Sequence, residues 1–449
     1  MDRFFRLSER GTTVRSEVIG GVVTFATMAY IVAVNPDILG GVADATGAKL
    51  PHDQLVTVTA LVAGVMTIAM GLIANVPMAL AAGLGVNSFA AYTLVAARGL
   101  SWSDAMGVIV IEGVVMLVLV VAGLREAIMN AIPDALKRAI GAGIGLFIAL
   151  IGLVDGGIVA HPDEGTVLAL GADFTSWNTL VFVLALVAMA VLMSRRVPGA
   201  LLIGIVAATV VGIVINAIAS GTPVAGAEMP HSVVAAPDFG LVGEVGFHVV
   251  DAVGLGAALA LVVTVLMANF FDAMGTALAV GRRAGLTDDQ GRLPQMRKVL
   301  LVESAGAVVG GAASASSNTI FVESTAGAAQ GARTGLANLT TGVLFLLTMF
   351  FAPLAGVIPS AATGPALVVV GALMIGQVSG IEWDDLGVAI PAFATIALMP
   401  FTYSIANGVG AGMVLYALIA LCRGRWREIH PLMAIVAAVF VWYFLKGPV

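Results

Sequence analysis

Two carboxylates stand out because their surroundings should not tolerate a charge. Asp272 lies in LVVTVLMANFFDAMGTALAV, with apolar residues on both sides, and Glu323 ends the small, polar stretch ASASSNTIFVE. A charged side chain at the centre of a bilayer costs about 2.5–3.5 kcal/mol on insertion scales. Each acid therefore needs a reason: carrying a proton, binding a substrate, or bonding a neighbouring helix. Asn269 and Thr276 lie one turn to either side of Asp272 and extend it into a polar stripe. Asn87 ends a second Gly/Ala-rich stretch, PMALAAGLGVN. Asn87 and Glu323 can each serve as helix caps as well as ligands. Phe89, Phe270, Phe271 and Phe321 can stack on a flat ligand or simply pack. Glu112, inside another apolar run, reads equally as an interhelical partner or a functional acid, and Glu303 is expected to pair with the basic loop before it. Asp288 and Asp289 belong to a solvated turn.

The elements that position these groups must be membrane helices. The chain has 449 residues, of which 59% are hydrophobic and 11% charged, with a mean hydropathy of +1.04. Soluble domains carry about 25% charged residues, too many to match here, so lipid is the solvent. One cysteine, Cys422, excludes an internal disulfide, and five scattered histidines offer no zinc spacing. No metal or cofactor is expected. The start MDRFFRLSERGTTVR is charged and leads directly into a long apolar span, as expected for insertion without a cleaved leader.

Spans of about 20 apolar residues read at 16–35, 55–75, 79–97, 104–123, 138–154, 176–194, 198–219, 249–280, 299–313, 315–331, 335–357, 364–380, 386–402 and 403–422. That is an all-α polytopic protein of fourteen spans. A further stretch, 430–446, is one short span long, and its Trp442 and Tyr443 suit a membrane interface, whether it crosses or lies flat. With the N-terminus in the cytoplasm, nearly all Lys and Arg fall inside, including Arg282, Arg283, Arg292, Arg297 and Lys298 in one loop; Lys49 and Arg98 fall outside. Outer loops carry acids such as Asp37, Asp53, Asp155 and Glu244. This positive-inside bias supports a multi-pass protein of the inner (plasma) membrane.

A shift of 236 positions brings VNSFAAYTLVAARGL (86–100) onto VESTAGAAQGARTGL (322–336), with Asn87 on Glu323. Fourteen spans divide into seven and seven, so the second half is inverted, a pattern of secondary transporters whose substrate binds near the midplane at interrupted helices. Spans 3 and 10 are such helices: extended backbone leading into half-helices can exist at membrane depth only where it is buried or lines a cavity. Half-helix N-termini then present free N–H groups near Asn87 and Glu323. An intramembrane enzyme is disfavoured by the absence of a nucleophile elbow, paired-acid metal motif or Cys/His cluster. A channel would show rings of like groups.

The blocks FRLSERGTTVRSEVIGGVVTFATMAYIVAVNP, GLGVNSFAAYTLV, LREAIMNAIPDALKRAIGAGIGLFIALIGL, FFDAMGTALAV and MPFTYSIANGVGAG closely resemble the Azg-like purine permeases. These form the adenine/guanine/hypoxanthine branch of the nucleobase–cation symporter-2 (nucleobase-ascorbate transporter) group. The resemblance runs over nearly the whole chain. It implies a core domain from 1–124 and 249–359, a gate domain from 125–220 and 360–422, an external loop 221–248 and a C-terminal segment 423–449. It also implies short strands before the half-helices of spans 3 and 10, import of a purine nucleobase by proton rather than sodium symport, and a homodimer, with no nucleic-acid partner. By position, Asp272 with Gly275 and Thr276 matches the family's D-x-x-G-T pattern, Glu323 its span 10 acid and Asn87 its G-x-N-x-F asparagine. The expected substrate-binding set is Glu323, Asp272, Asn87, Thr276, Phe271, Phe321 and Val322, with Asp272 and Glu323 coupling the proton. Span 10 departs from the usual pattern: Phe321 stands where a tyrosine is common, and Asn318 is unusual. The alternative is a transporter of the same fold for xanthine, uracil or an inorganic anion. Two acids at the site disfavour the anion.

Overall fold

The computed structural model describes residues 2–123, 132–160, 168–171, 173–219, 223–425, 427 and 429–445, apart from the side chain of Phe271. Part of the block LREAIMNAIP, the domain boundaries drawn at 124 and 220, and residues 446–449 lie outside that set.

Ten helical stretches among the described residues are long and apolar enough to cross a membrane. The first, Val14–Gly40, is α1 (Val14–Met28) and α2 (Ile31–Gly40), which meet at a short break around Ala29 and Tyr30. The others are α3 (His52–Ile73), α5 (Trp102–Val121), α6 (Asp134–Asp155), α7 (Trp177–Ser194), α8 (Ala200–Ile218), α9 (Val249–Arg283), α12 (Gly335–Thr348 and its extension to Ala355), α13 (Ser360–Ile375 and its extension to Gly380) and α15 (Ile405–Cys422). Shorter apolar helices are α4 (Leu84–Ser88, continued as a π-helix over Phe89–Ala97), α14 (Leu386–Phe401) and α16 (Pro431–Leu445). α10 (Met296–Ala312) is a further helix of 17 residues. α9 is broken near its start, where Gly254 takes φ 80°.

Two short strands interrupt the helical bundle. β1 (Leu80–Ala82) precedes α4, and β2 (Asn318–Ile320) precedes the short α11 (Ser324–Ala329). They pair antiparallel, Leu80 with Ile320, Ala81 with Thr319 and Ala82 with Asn318, and every strand residue is buried. The ladder continues at both ends, where Gly83 N donates to Ser317 O at 2.9 Å and Phe321 N to Ala79 O at 3.0 Å.

Glycine sets the helix spacing. Across α3 and α12, Gly71 faces Gly335 and Gly64 faces Gly342; across α6 and α13, Gly145 faces Gly371 and Gly152 faces Gly364. In each pair a Cβ would run into the opposing backbone, so the backbones touch, as small residues permit in membrane bundles. The start of α12 is fastened by Glu17 of α1, a fully buried carboxylate. It accepts from Arg333 N at 2.7 Å, Thr334 N at 3.3 Å and Ala337 N at 3.2 Å, the donors that a helix N-terminus leaves free.

Gly335→Val should therefore force α3 and α12 apart. Overpacking typically costs about 1–3 kcal/mol, and thermal unfolding of the detergent-solubilised protein should show a clear loss. Gly356→Ala, where a Cβ meets nothing closer than 3.8 Å, should leave the midpoint unchanged. Equal midpoints for the two variants would contradict the backbone contact.

Candidate functional site

The paired strands lead into the helices at which Asn87 and Glu323 stand. Glu323 stands immediately before α11, at its N-cap position, but its side chain makes no capping bond. The capping role considered from sequence is thus not the one observed. One carboxylate oxygen, Oε1, accepts instead from Tyr30 Oη at 2.8 Å. Tyr30 is buried at the break between α1 and α2, and its ring lies 6.4 Å from that of Phe321. Phe321 is 7% exposed, whereas Val322 beside it is 49% exposed.

Asp272 keeps an accessible face although protein surrounds it, which places it on the wall of an internal crevice. Gly275, one turn on, is also exposed, and a Cβ there would meet nothing within 4 Å. Thr276 and Glu323 are half-buried. Asp272, Gly275, Thr276, Val322 and Glu323 are thus the accessible members of the predicted region. Asn87 differs. It lies inside α4, fully buried, and neither amide atom has a partner among the described residues. An unpaired buried amide costs about 1–3 kcal/mol per group, and Asn87 carries that cost in the helix that follows β1. The Phe271 side chain lies outside the described residues.

Behind the strands is a second polar layer that sequence placed only in part. Asn269 Nδ2 donates to Glu112 Oε1 at 3.2 Å and to Ser317 Oγ at 2.9 Å. Glu112 of α5 thus fixes the amide one turn before Asp272, and that amide holds the lead-in to β2. Glu303 was expected from sequence to pair with the basic loop, but among the described residues its partner is a strand amide. The carboxylate is fully buried and accepts from Ile320 N of β2 at 3.4 Å. The reason is the strand: Ile320 N would otherwise be an unpaired donor at membrane depth. On β1 the corresponding donor, Leu80 N, is met by Thr67 Oγ1 at 2.9 Å. Tyr30 was missed altogether. Its signal in the sequence, a lone tyrosine midway along the first apolar run, is weak, because the break that turns it inward has no Gly or Pro.

This architecture, a helical bundle interrupted by two paired antiparallel strands, is one that solved structures share. The transmembrane domain of the cyanobacterial bicarbonate transporter BicA matches with a TM-score of 0.60 at 16% identity, over 94% of this chain and 97% of that one. SLC26A9 matches with a TM-score of 0.62 at 10% identity, over 91% and 66%. The family is set by sequence: the Permease family model, Xan_ur_permease, matches residues 15–411, and the chain belongs to that family. It is 40% identical to the guanine/hypoxanthine permease PbuG of Bacillus subtilis, over 99% of each chain. It is 39% identical to the adenine permease AdeQ of Escherichia coli, over 98% of this chain and 95% of that one. The protein is a transporter and not an enzyme.

Glu112→Leu should leave Asn269 with one acceptor fewer and lower stability by about 1–3 kcal/mol. Glu112→Gln, which keeps an acceptor oxygen, should remain near the parent. The check is thermal unfolding of the purified variants. If Leu and Gln behave alike, the Glu112–Asn269 bond does not hold the layer.

Proposed function

We propose that this chain imports purine nucleobases, hypoxanthine, guanine or adenine, by proton symport through a fourteen-span inverted repeat with its N-terminus in the cytoplasm. The observation that carries the reading is the match along the whole chain to permeases for these bases. The chemistry of the crevice supports it. A purine is flat, with donors and acceptors alternating along its edges. Glu323 accepts from ring N–H groups, and Tyr30 holds the carboxylate in orientation. Asn87 can both donate and accept, and Phe321 and Phe271 offer apolar cover for the ring faces. Val322 and Thr276 complete the lining.

Asp272 takes the proton in this reading. A bare carboxylate resists being sealed away from water, and protonation removes that penalty, so the site closes when both proton and purine are loaded. The core, carrying α1–α5 and α9–α12, then moves against the gate, carrying α6–α8 and α13–α15, to expose the site alternately. A homodimer would anchor the gate. The fold is shared with a bicarbonate transporter, yet two acids in the crevice disfavour an inorganic anion.

In proteoliposomes, Asp272→Asn should abolish uphill uptake of labelled hypoxanthine driven by a pH gradient. Normal accumulation would remove the proton from Asp272. Glu323→Gln should weaken purine binding by about tenfold or more, the equivalent of a hydrogen bond to a charged group. Unchanged affinity would remove Glu323 from the site. Uptake of adenine, guanine, hypoxanthine, xanthine and uracil, with and without an uncoupler, ranks the substrates. Insensitivity to the uncoupler would contradict proton coupling.

A further inference from the structure

The C-terminal helix α16 is unused by the transport cycle proposed above, yet it touches both parts that the cycle moves. Along one side it forms an antiparallel hairpin with α15. Tyr443 Oη donates to Asn407 Oδ1 at 3.1 Å, and Phe440 occupies the space beside Gly410, where any Cβ would collide with its ring. Three residues up one helix are matched by three down the other. Towards the opposite end, Leu421 and Ile429 line the same apolar groove between the two helices. One face of α16 is sealed along its length, with Met433, Ala437, Phe440 and Tyr443 exposed by 1%, 6%, 0% and 1%. Fifteen residues rise about 22 Å as a helix, short for a hydrocarbon core of about 30 Å but within what local thinning accommodates.

The far end of α16 meets other helices. The Trp442 ring lies 3.0 Å from where a Cβ would stand on Gly256, near the start of α9. The Arg98 guanidinium lies 4.8 Å over the Tyr443 ring, a cation–π arrangement, and Arg98 follows directly on the π-helical continuation of α4. Sequence offered Trp442 and Tyr443 as interfacial anchors. Tyr443 is instead a buried junction, bonded to α15 through its hydroxyl and to Arg98 through its ring.

We propose that α16 is a fifteenth membrane span that carries the C-terminus to the outer face, and that its tip, Trp442 with Tyr443, latches the core to the gate helix α15. The direction of crossing and the relative motion rest on the transport reading above. α16 is paired with α15 along its length, and its tip meets α9 and Arg98 through Trp442 and Tyr443. Sliding of core against gate must therefore part Trp442 from Gly256 and Arg98 from Tyr443 while the hairpin stays intact. Gly256 is the residue that permits the approach, since a side chain there would press on the indole.

Both halves of the proposal are tested in the full chain carrying Cys422→Ser. For the crossing, Val449→Cys should react with a membrane-impermeant maleimide on intact cells, as the outer control Asp173→Cys does and the inner control Asp289→Cys does not. Reaction only after permeabilisation would overturn it. For the latch, Gly256→Cys with Trp442→Cys is joined by a reducible bis-methanethiosulfonate, and Arg98→Cys with Tyr443→Cys serves as a second pair if the first fails to fold. Hypoxanthine uptake should fall at least about tenfold when joined and return on reduction, while binding to the purified protein persists. Full uptake by the joined protein, or failure of both pairs to join, would overturn the latch. If the reduced protein neither binds nor takes up any nucleobase, the transport reading fails instead, and the labelling result stands by itself.

Discussion

The structure depends on one constraint: backbone that leaves the helix inside a membrane must find hydrogen bonds within the protein. β1 and β2 meet it by pairing with each other, and the donors and acceptors left over at their edges recruit side chains. Thr67 serves Leu80, Glu303 serves Ile320, Ser324 Oγ accepts from Ala79 N at 3.0 Å, and Asn338 Nδ2 donates to Met78 O at 2.8 Å. The polar residues of the bundle thus include some that satisfy the strands, while others, such as Glu17, fasten helix ends. The short helices α4 and α11 begin where the strands end, so the same constraint that forces the pairing also delivers Asn87 and Glu323 to the centre.

The long helices close on one another through facing glycines, Gly71 with Gly335 and Gly152 with Gly364. At the junction of α6, the segment after α4 and the turn after α14, the rings of Tyr92, Phe147 and Tyr403 meet edge-to-face at 5.3–6.4 Å. A seam of ring edges slides at less cost than backbone contacts of the glycine kind, which fits the division into moving parts proposed above.

Much of this was legible in the sequence because its causes are local. Long apolar runs announce the helices, and the cost of a carboxylate in lipid singles out Asp272 and Glu323. Small and polar residues at 77–87 and 313–323 betray the breaks. Partnership between elements was not legible. Glu303 reads naturally as an ion-pair partner of the preceding basic loop, and only the fold reveals that an amide of β2, distant in sequence, needs it more. Glu112 was ambiguous because nothing in its own helix indicates that Asn269 lies opposite. Tyr30 was invisible because the break in its helix carries no sequence mark, and α16 was undecidable because its length suits either a short span or a surface helix.

The central claim is that a purine binds in the crevice between α9 and the start of α11, held by Glu323. The most direct test is an experimental structure of the purified protein with bound hypoxanthine. The account predicts the base beside the paired strands, with a ring N–H donating to the Glu323 carboxylate and Tyr30 still bonded to Oε1. A base bound elsewhere, or one in the crevice that leaves Glu323 untouched, would contradict it.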